Sequence, residues 1–352
     1  MSTTQTALGT KRVKKKDLLL YRKNKKGWEQ IHEPIPESTK QAIAHYNKAG
    51  NIKFLVDEFF KDFLKGQLNP QSFPVGARIS TLPNGKKLAR GAFSLFAKNL
   101  EFNLDNELLL WDVCYTNTSG SKTYLYCQDK VEYELKKKDK LVFSFEKEYE
   151  TILKNLEKDI KKKGDLLYVA LYILLKTHIR VGHLEYYRHL GHQGLTTLLV
   201  ENLSIQGNTV HFSYLAKDGV PRDIKKIFPP FVLTILEKEV EKKKSKDFLF
   251  TKKDGSLFHS HDFSHILFTY TGKHFYPHII RSHYANSVVK SFLKQKRKAS
   301  KKEVEELFLE IARELGHMKF NKKKQCWEAN FKVTLSNYIS PKNVEKMKKL
   351  YA

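Results

Sequence analysis

One stretch constrains the fold more than any other, the run from Leu166 to Arg222. It opens on Leu166 to Leu175, apolar at almost every position and bounded by Asp165 and Lys176. A run of that length that is apolar on all sides reads as a helix buried within a larger core. The polar segment Thr177 to Gly182 follows, and then Gly194-Leu195-Thr196-Thr197-Leu198. Leu203 to Ile205 and Val210 to Leu215 alternate as strands around Gly207-Asn208. Lys217-Asp218-Gly219 reads as a hairpin tip, because Asp-Gly suits a tight turn. A helix that must be covered on every side, beside a hairpin sheet, implies an α+β fold. We expect a mainly α-helical domain with a small three-stranded antiparallel sheet.

The rest of the chain supplies the cover. Lys147 to Lys163 has Ile152, Leu156 and Ile160 at helical spacing and ends in Lys161-Lys162-Lys163-Gly164, cations then glycine. Val304, Leu307, Ile311 and Leu315 mark an amphipathic helix, and Pro277 suits the first turn of another. Upstream, residues 37–66 carry the stripe Ile52, Leu55, Val56, Phe59, Phe60 and Phe63, and Phe54 joins it as an expected core residue. Phe93 to Phe102, Leu108 to Tyr115, Thr123 to Cys127 and Leu141 to Phe145 read as strands, with turns at Pro83-Asn84-Gly85 and Thr116 to Ser121. The expected division is a basic flexible tail over 1–16, a smaller α+β N-terminal domain over 17–146 and a larger, mainly helical domain over 147–352.

Charge limits the partner. The 352 residues hold 64 Lys plus Arg against 38 Asp plus Glu, a formal net charge of +26. That excess points to a polyanion, nucleic acid first and an anionic membrane surface second. No apolar run approaches the roughly 20 residues of a spanning helix, so no membrane residence is expected. Cys114, Cys127 and Cys326 form neither a disulfide framework nor a metal-ligand spacing, which fits a reducing compartment. His259, His261 and His265 match no standard zinc spacing, so no metal is expected there.

Six residues stand out by their order: Arg180, Lys217, His278, Arg281, His317 and Tyr338. Taken singly, each has an ordinary reading. An arginine at a helix end is usually a surface ion pair, a turn lysine is decoration, and a tyrosine is half-buried packing. The ordered set is more specific. Arg180, Lys217, His278-x-x-Arg281, Leu-Gly-His317 and Tyr338 resemble the catalytic set of type IB DNA topoisomerases and tyrosine recombinases. IRVGHLEYY with GLTTL and the hairpin lysine is nearest the topoisomerases; HIIRSHYA is nearer the recombinase box. The resemblance covers about 147–352 and implies that this is the catalytic breaking-rejoining domain. Residues 1–146 resemble nothing recognisable, and the resemblance implies that 17–146 serve as an N-terminal DNA clamp.

The chemistry suits the set. A phosphodiester repels anionic nucleophiles, and attack places further charge on its nonbridging oxygens. Guanidiniums at Arg180 and Arg281 offer planar forks of fixed donors, with His317 adding another. A phenol with a pKa near 10 can attack phosphorus and later leave again, so Tyr338 is the expected nucleophile. Lys217 is the expected general acid for the departing 5′ oxygen.

The resemblance implies relaxation of supercoiled duplex DNA through a 3′-phosphotyrosyl intermediate, with no ATP and no obligatory metal. The alternatives are a tyrosine recombinase or telomere resolvase with the same chemistry, and a DNA-binding protein that no longer cleaves. The expected partner is duplex DNA, bound by a monomer if a topoisomerase and by a multimer if a recombinase. Expected placement is cytoplasmic or nucleoid-associated, or nuclear in a eukaryote. His317 and Tyr338 lie 21 positions apart, and the insert Met318 to Lys332 reads as a DNA-contacting loop or a tether for the tyrosine. Tyr351, the competing nucleophile, lacks the Ser-Asn-Tyr-Ile-Ser-Pro context.

Overall fold

The computed structural model describes residues 6–104 and 111–351. It is a mixed α+β, mainly helical protein, and its chain divides into two compact units, 1–136 and 137–352.

In the first unit a five-stranded sheet runs in the order β3-β2-β1-β4-β5, from β1 (Lys11–Val13), β2 (Leu20–Lys23), β3 (Trp28–Gln30), β4 (Gln67–Leu68) and β5 (Pro74–Val75). A second sheet orders β6 (Lys98–Phe102), β7 (Val113–Thr116) and β8 (Lys122–Leu125) consecutively. Helix α1 (Glu37–Lys48) buries Ala42, Ile43 and Tyr46 in the core of this unit.

Several expectations change here. Part of the expected flexible tail is structured: Lys11–Val13 pairs with Leu20–Arg22, and Arg12 is buried in an ion pair with Asp57. The helical stripe expected over 37–66 stops early, because Gly50 takes a left-handed φ of +67° after α1. Asp57 then accepts the backbone N–H of Phe59 and Phe60 in a turn. Phe63 is buried there, but Phe59 is 88% exposed and Phe60 41%, so neither is core. Residues 108–110 of the expected Leu108–Tyr115 strand lie outside the described residues.

Leu141 to Phe145 is not a strand. It lies inside α2 (Gln128–Lys163), whose buried positions Val142, Phe145, Ile152, Leu156 and Ile160 follow helical spacing. Its aromatic and β-branched residues suit a strand locally, but the 3.6-residue period prevails once those side chains share one core.

In the second unit that core surrounds α3 (Leu166–Thr177), which is buried almost throughout. Asp165 caps it by accepting from the Leu167 N–H. The exposed α4 (Leu184–Leu190) follows. Strands β9 (Leu203–Gln206), β10 (Thr209–Leu215) and β11 (Pro221–Ile227) form the expected antiparallel three-stranded sheet, with Lys217 in the β10–β11 turn. Helices α5 (Pro230–Glu241) and α6 (Ser260–Thr271) pack against α3. Asp262 closes the start of α6 through the His259 N–H and pairs with Lys252.

A further core joins α7 (His278–Gln295), α8 (Lys301–Leu315), α9 (Lys332–Asn337) and α10 (Pro341–Lys349). Ser300 and Glu303 form a reciprocal cap at the start of α8, an arrangement worth about 1 kcal/mol. The insert after His317 contains a paired hairpin, β12 (Met318–Asn321) with β13 (Cys326–Ala329). Among the described residues no helix is long and apolar enough to cross a membrane.

Candidate active site

The backbone that carries Arg180 is fixed by the Gly-Leu-Thr-Thr-Leu segment. After α3, His178 adopts a left-handed φ of 55° and turns the chain out of the helix. The carbonyls of Arg180 and Val181 then accept from the N–H groups of Leu195 (2.8 Å) and Thr196 (2.7 Å). Thr196 Oγ1 adds a bond to the Val181 carbonyl at 3.0 Å. Two glycines let these segments meet. A Cβ on Gly194 would lie 2.5 Å from Gly182 Cα and 2.7 Å from the Arg180 carbonyl oxygen.

Arg281 rises from the first turn of α7 and is 3% exposed. Its guanidinium donates to the carbonyls of His178 and Leu315, the latter at 2.7 Å, and to His317 Nε2 at 3.2 Å. These bonds tie together the end of α3, the end of α8 and the start of α7. His317 follows Gly316, the left-handed residue that ends α8. Its Nδ1 bonds Thr334 Oγ1 at 2.8 Å. Because Arg281 donates to Nε2, the ring is the neutral Nδ1–H tautomer that donates to Thr334.

Tyr338 lies at the C-terminal end of α9 and is 5% exposed. Its hydroxyl accepts from Arg180 Nη1 at 3.3 Å. The rings of His317 and His278 lie 4.5 and 5.1 Å from its ring, and the Arg281 guanidinium 5.4 Å from it. Asn286 holds the turn that follows: its Nδ2 donates to the Tyr338 carbonyl at 2.8 Å, and its Oδ1 accepts from the Ser340 N–H at 2.9 Å.

A cavity of about 230 Å³ is walled by Arg180, Lys217, Arg222, Arg281, His317 and Asn330, among others. Lys217 stands exposed on this wall. His278 and Tyr338 do not line it; Tyr338 touches Arg180 and Arg281, which do, and His278 touches Tyr338. Five of the six sequence candidates are thus joined by direct contacts, and Lys217 shares the cavity without a side-chain bond to the rest. Tyr351, by contrast, is exposed at the end of the chain.

Electrostatics follow from burial among cations. Burial raises the Tyr338 phenol, but Arg281 and Arg180 outweigh it and bring the net value below the ordinary one. Burial, then the charge of Arg180, pushes Arg281 down to about 10. Burial and the same guanidiniums push His278 and His317 to about 3, so both rings are neutral near pH 7.

Two residues of the site escaped the sequence reading. Arg222 on β11 donates to the carbonyls of Arg313 and Glu314 at 2.6 Å each, closing the end of α8 beside the cavity. Lys138 on α2 donates to the Asn337 carbonyl, and its ammonium lies 5.2 Å from the centre of the Tyr338 ring. A signal for Lys138 was present: it stands four positions before Val142 and continues the buried stripe of α2 by one turn.

Residues 128–351 match the family model of eukaryotic DNA topoisomerase I, catalytic core. The chain belongs to that family. No curated protein matches it. Among solved structures, a crystal structure of XerA recombinase is 15% identical, with 58% of this chain and 62% of that chain covered and a TM-score of 0.34. The XerH site-specific recombinase bound to difH substrate, in a pre-cleavage complex, is 14% identical over 51% of this chain and 50% of that one, with a TM-score of 0.33. The aligned region spans about three fifths or less of these recombinases. The topoisomerase I match begins with α2, the helix that brings Lys138 to the tyrosine.

Proposed function

We propose that this protein is a type IB topoisomerase that relaxes supercoiled duplex DNA by cutting and resealing one strand. The observation that carries this reading is the Arg180–Tyr338 contact. Arg180 walls the open cavity while bonding the hydroxyl of a tyrosine held between two histidines and Arg281. A phosphate that enters the cavity meets that guanidinium next to the nucleophile.

Tyr338 Oη attacks the phosphorus, and the bond from phosphorus to the 5′ oxygen breaks. The phenol proton departs to solvent, and Lys217 supplies a proton to the leaving 5′ oxygen. The 3′-phosphotyrosyl bond conserves the energy of the broken linkage. Resealing is the reverse attack by the 5′ hydroxyl and needs no ATP. Fixed donors facing the developing charge are worth about 2.7–4 kcal/mol each in such transition states. The arginines supply the charge stabilisation that a metal provides elsewhere. The remaining excess of cations binds duplex phosphates with little regard to sequence, so affinity falls steeply with salt.

The test is an arbitrary supercoiled plasmid, incubated with excess chelator and without ATP. A ladder of relaxed topoisomers is expected, with a covalent adduct after detergent quenching. Tyr338→Phe is expected to abolish the adduct and leave DNA binding nearly unchanged. Activity confined to one cognate site, giving recombinants or hairpin ends, would replace this reading with a recombinase or resolvase. Binding without any adduct would leave a DNA-binding protein that no longer cleaves.

A further inference from the structure

Lys138 has no role in the chemistry above, yet it touches the nucleophile's segment at two places. Its ammonium donates to the carbonyl of Asn337, the last residue of α9, where a helix leaves its carbonyls unpaired. The same ammonium lies 5.2 Å from the centre of the Tyr338 ring. A cation at a helix C-terminus is favoured by the helix dipole, and a cation near a phenol favours its ionised form.

The other groups around Tyr338 are accounted for. Arg180 comes from the segment after α3, His278 and Arg281 from α7, and His317 from the end of α8. Lys217 and Arg222 stand further out on the cavity wall, and Asp139 is the acidic neighbour of Lys138. Both histidines are neutral near pH 7. Arg180 and Arg281 wall the cavity, so a bound phosphate competes for their charge. Lys138 does not line the cavity. Burial lowers the pKa of the Lys138 ammonium, Tyr338 and Asp139 oppose that, and a phosphate in the cavity does not contact it.

We propose that Lys138 is a positioning residue for the nucleophile, clamping the backbone at Asn337 and holding a positive charge against the Tyr338 ring. The charge would favour the phenolate during attack and again when the tyrosine leaves in resealing. This inference rests on the topoisomerase reading.

The test follows covalent adduct formation on plasmid DNA by the full chain, quenched with detergent, from about pH 6 to about pH 10. Lys138→Met removes charge and donor at similar length, Lys138→Gln keeps a polar group without charge, and Lys138→Arg keeps the charge. Thermal unfolding of each variant reports folding, and filter binding reports DNA affinity. At neutral pH both uncharged variants are expected to form adduct about tenfold more slowly, with the rising limb of the pH profile about one unit higher. The gap should close toward high pH, where the phenol ionises unaided. Lys138→Arg should restore the rate to within about twofold and return the profile. Wild-type rates and profiles in folded Met and Gln variants would overturn the proposal. A uniform slowing at every pH would overturn it too, since a purely structural role does not move the titration. If the wild-type chain run alongside forms no adduct, the topoisomerase reading itself has failed.

Discussion

The burial of His317 makes a prediction about acid stability whose sign and size follow from its surroundings. The ring is 6% exposed, accepts from Arg281 through Nε2 and donates to Thr334 through Nδ1. A second ring proton would face a guanidinium in a buried site, so the folded value falls to about 3. An unfolded histidine titrates near about 6.5. The folded value is depressed, so the unfolded chain takes up the proton first as pH falls. The contribution is intact above about pH 6.5 and is lost progressively below it. At about pH 5 the gap already used is about 1.5 units, which is about 2 kcal/mol. Near pH 3 the full gap, 6.5 − 3 or about 3.5 units, is about 5 kcal/mol. His278, at about 3, and His283, at about 4, act in the same direction, as does His178. Urea unfolding of the full chain, followed by circular dichroism at several pH values from about 7.5 to about 5, measures the sum. In His317→Gln the pH slope of stability should be shallower by one proton, about 1.4 kcal/mol per pH unit below pH 6. Equal slopes in the two proteins would mean that His317 titrates alike folded and unfolded, and the tautomer argument would fall.

Two further substitutions probe the site from opposite sides. Gly194→Ala places a Cβ 2.5 Å from Gly182 backbone atoms, so the Arg180 strap must shift; we expect a loss of about 1–3 kcal/mol in denaturant unfolding together with slow cleavage, and an unchanged midpoint would contradict the close approach. Lys217→Ala, at an exposed turn, should leave stability within about 0.5 kcal/mol and slow cleavage about 10²–10⁴-fold. That loss should recover when the 5′ oxygen is replaced by a better leaving group, and failure to recover would remove Lys217 as the acid.

What the sequence disclosed was local or strongly periodic. The apolar run from Leu166, the hairpin at Lys217-Asp218-Gly219 and the stripe from Val304 to Leu315 each carry their signal within one element, and each forms where expected. Leu141 to Phe145 misled because five residues rich in Val and Phe have strand propensity, while the stripe that makes them helical extends over the whole of α2. The exposure of Phe59 was hidden for a similar reason. Its spacing is helical, but Gly50 and the Asp57 turn break the helix that would have buried it. Arg222 and Lys138 act through carbonyl groups of distant segments, at Arg313, Glu314 and Asn337. Backbone acceptors leave no mark in a one-dimensional pattern, so Arg222 looks like an ordinary surface charge, and for Lys138 the only trace is its place on the buried stripe of α2.

The same distinction separates the two candidate arginines, which sequence alone makes equivalent. Arg281 gives its donors to two carbonyls and to His317, and its buried Nε has no partner among the described residues. A buried guanidinium with an unmet donor is costly, and removing it would strand the carbonyls it serves. Arg180 is half-buried, and among the described residues its one side-chain hydrogen bond is to the Tyr338 hydroxyl. Only Arg180 can turn its free donors to an incoming phosphate without dismantling the protein's own contacts. Arg281 must exchange a bond it already makes, and the weakest by length is the 3.2 Å contact to His317. Releasing that contact frees Nε2 of the imidazole to accept a proton, beside a new negative charge that favours one. On the topoisomerase reading, phosphate binding and protonation of His317 are therefore expected to be coupled through Arg281. A histidine that is neutral without a bound anion is then expected to become a donor only when there is an anion to receive it.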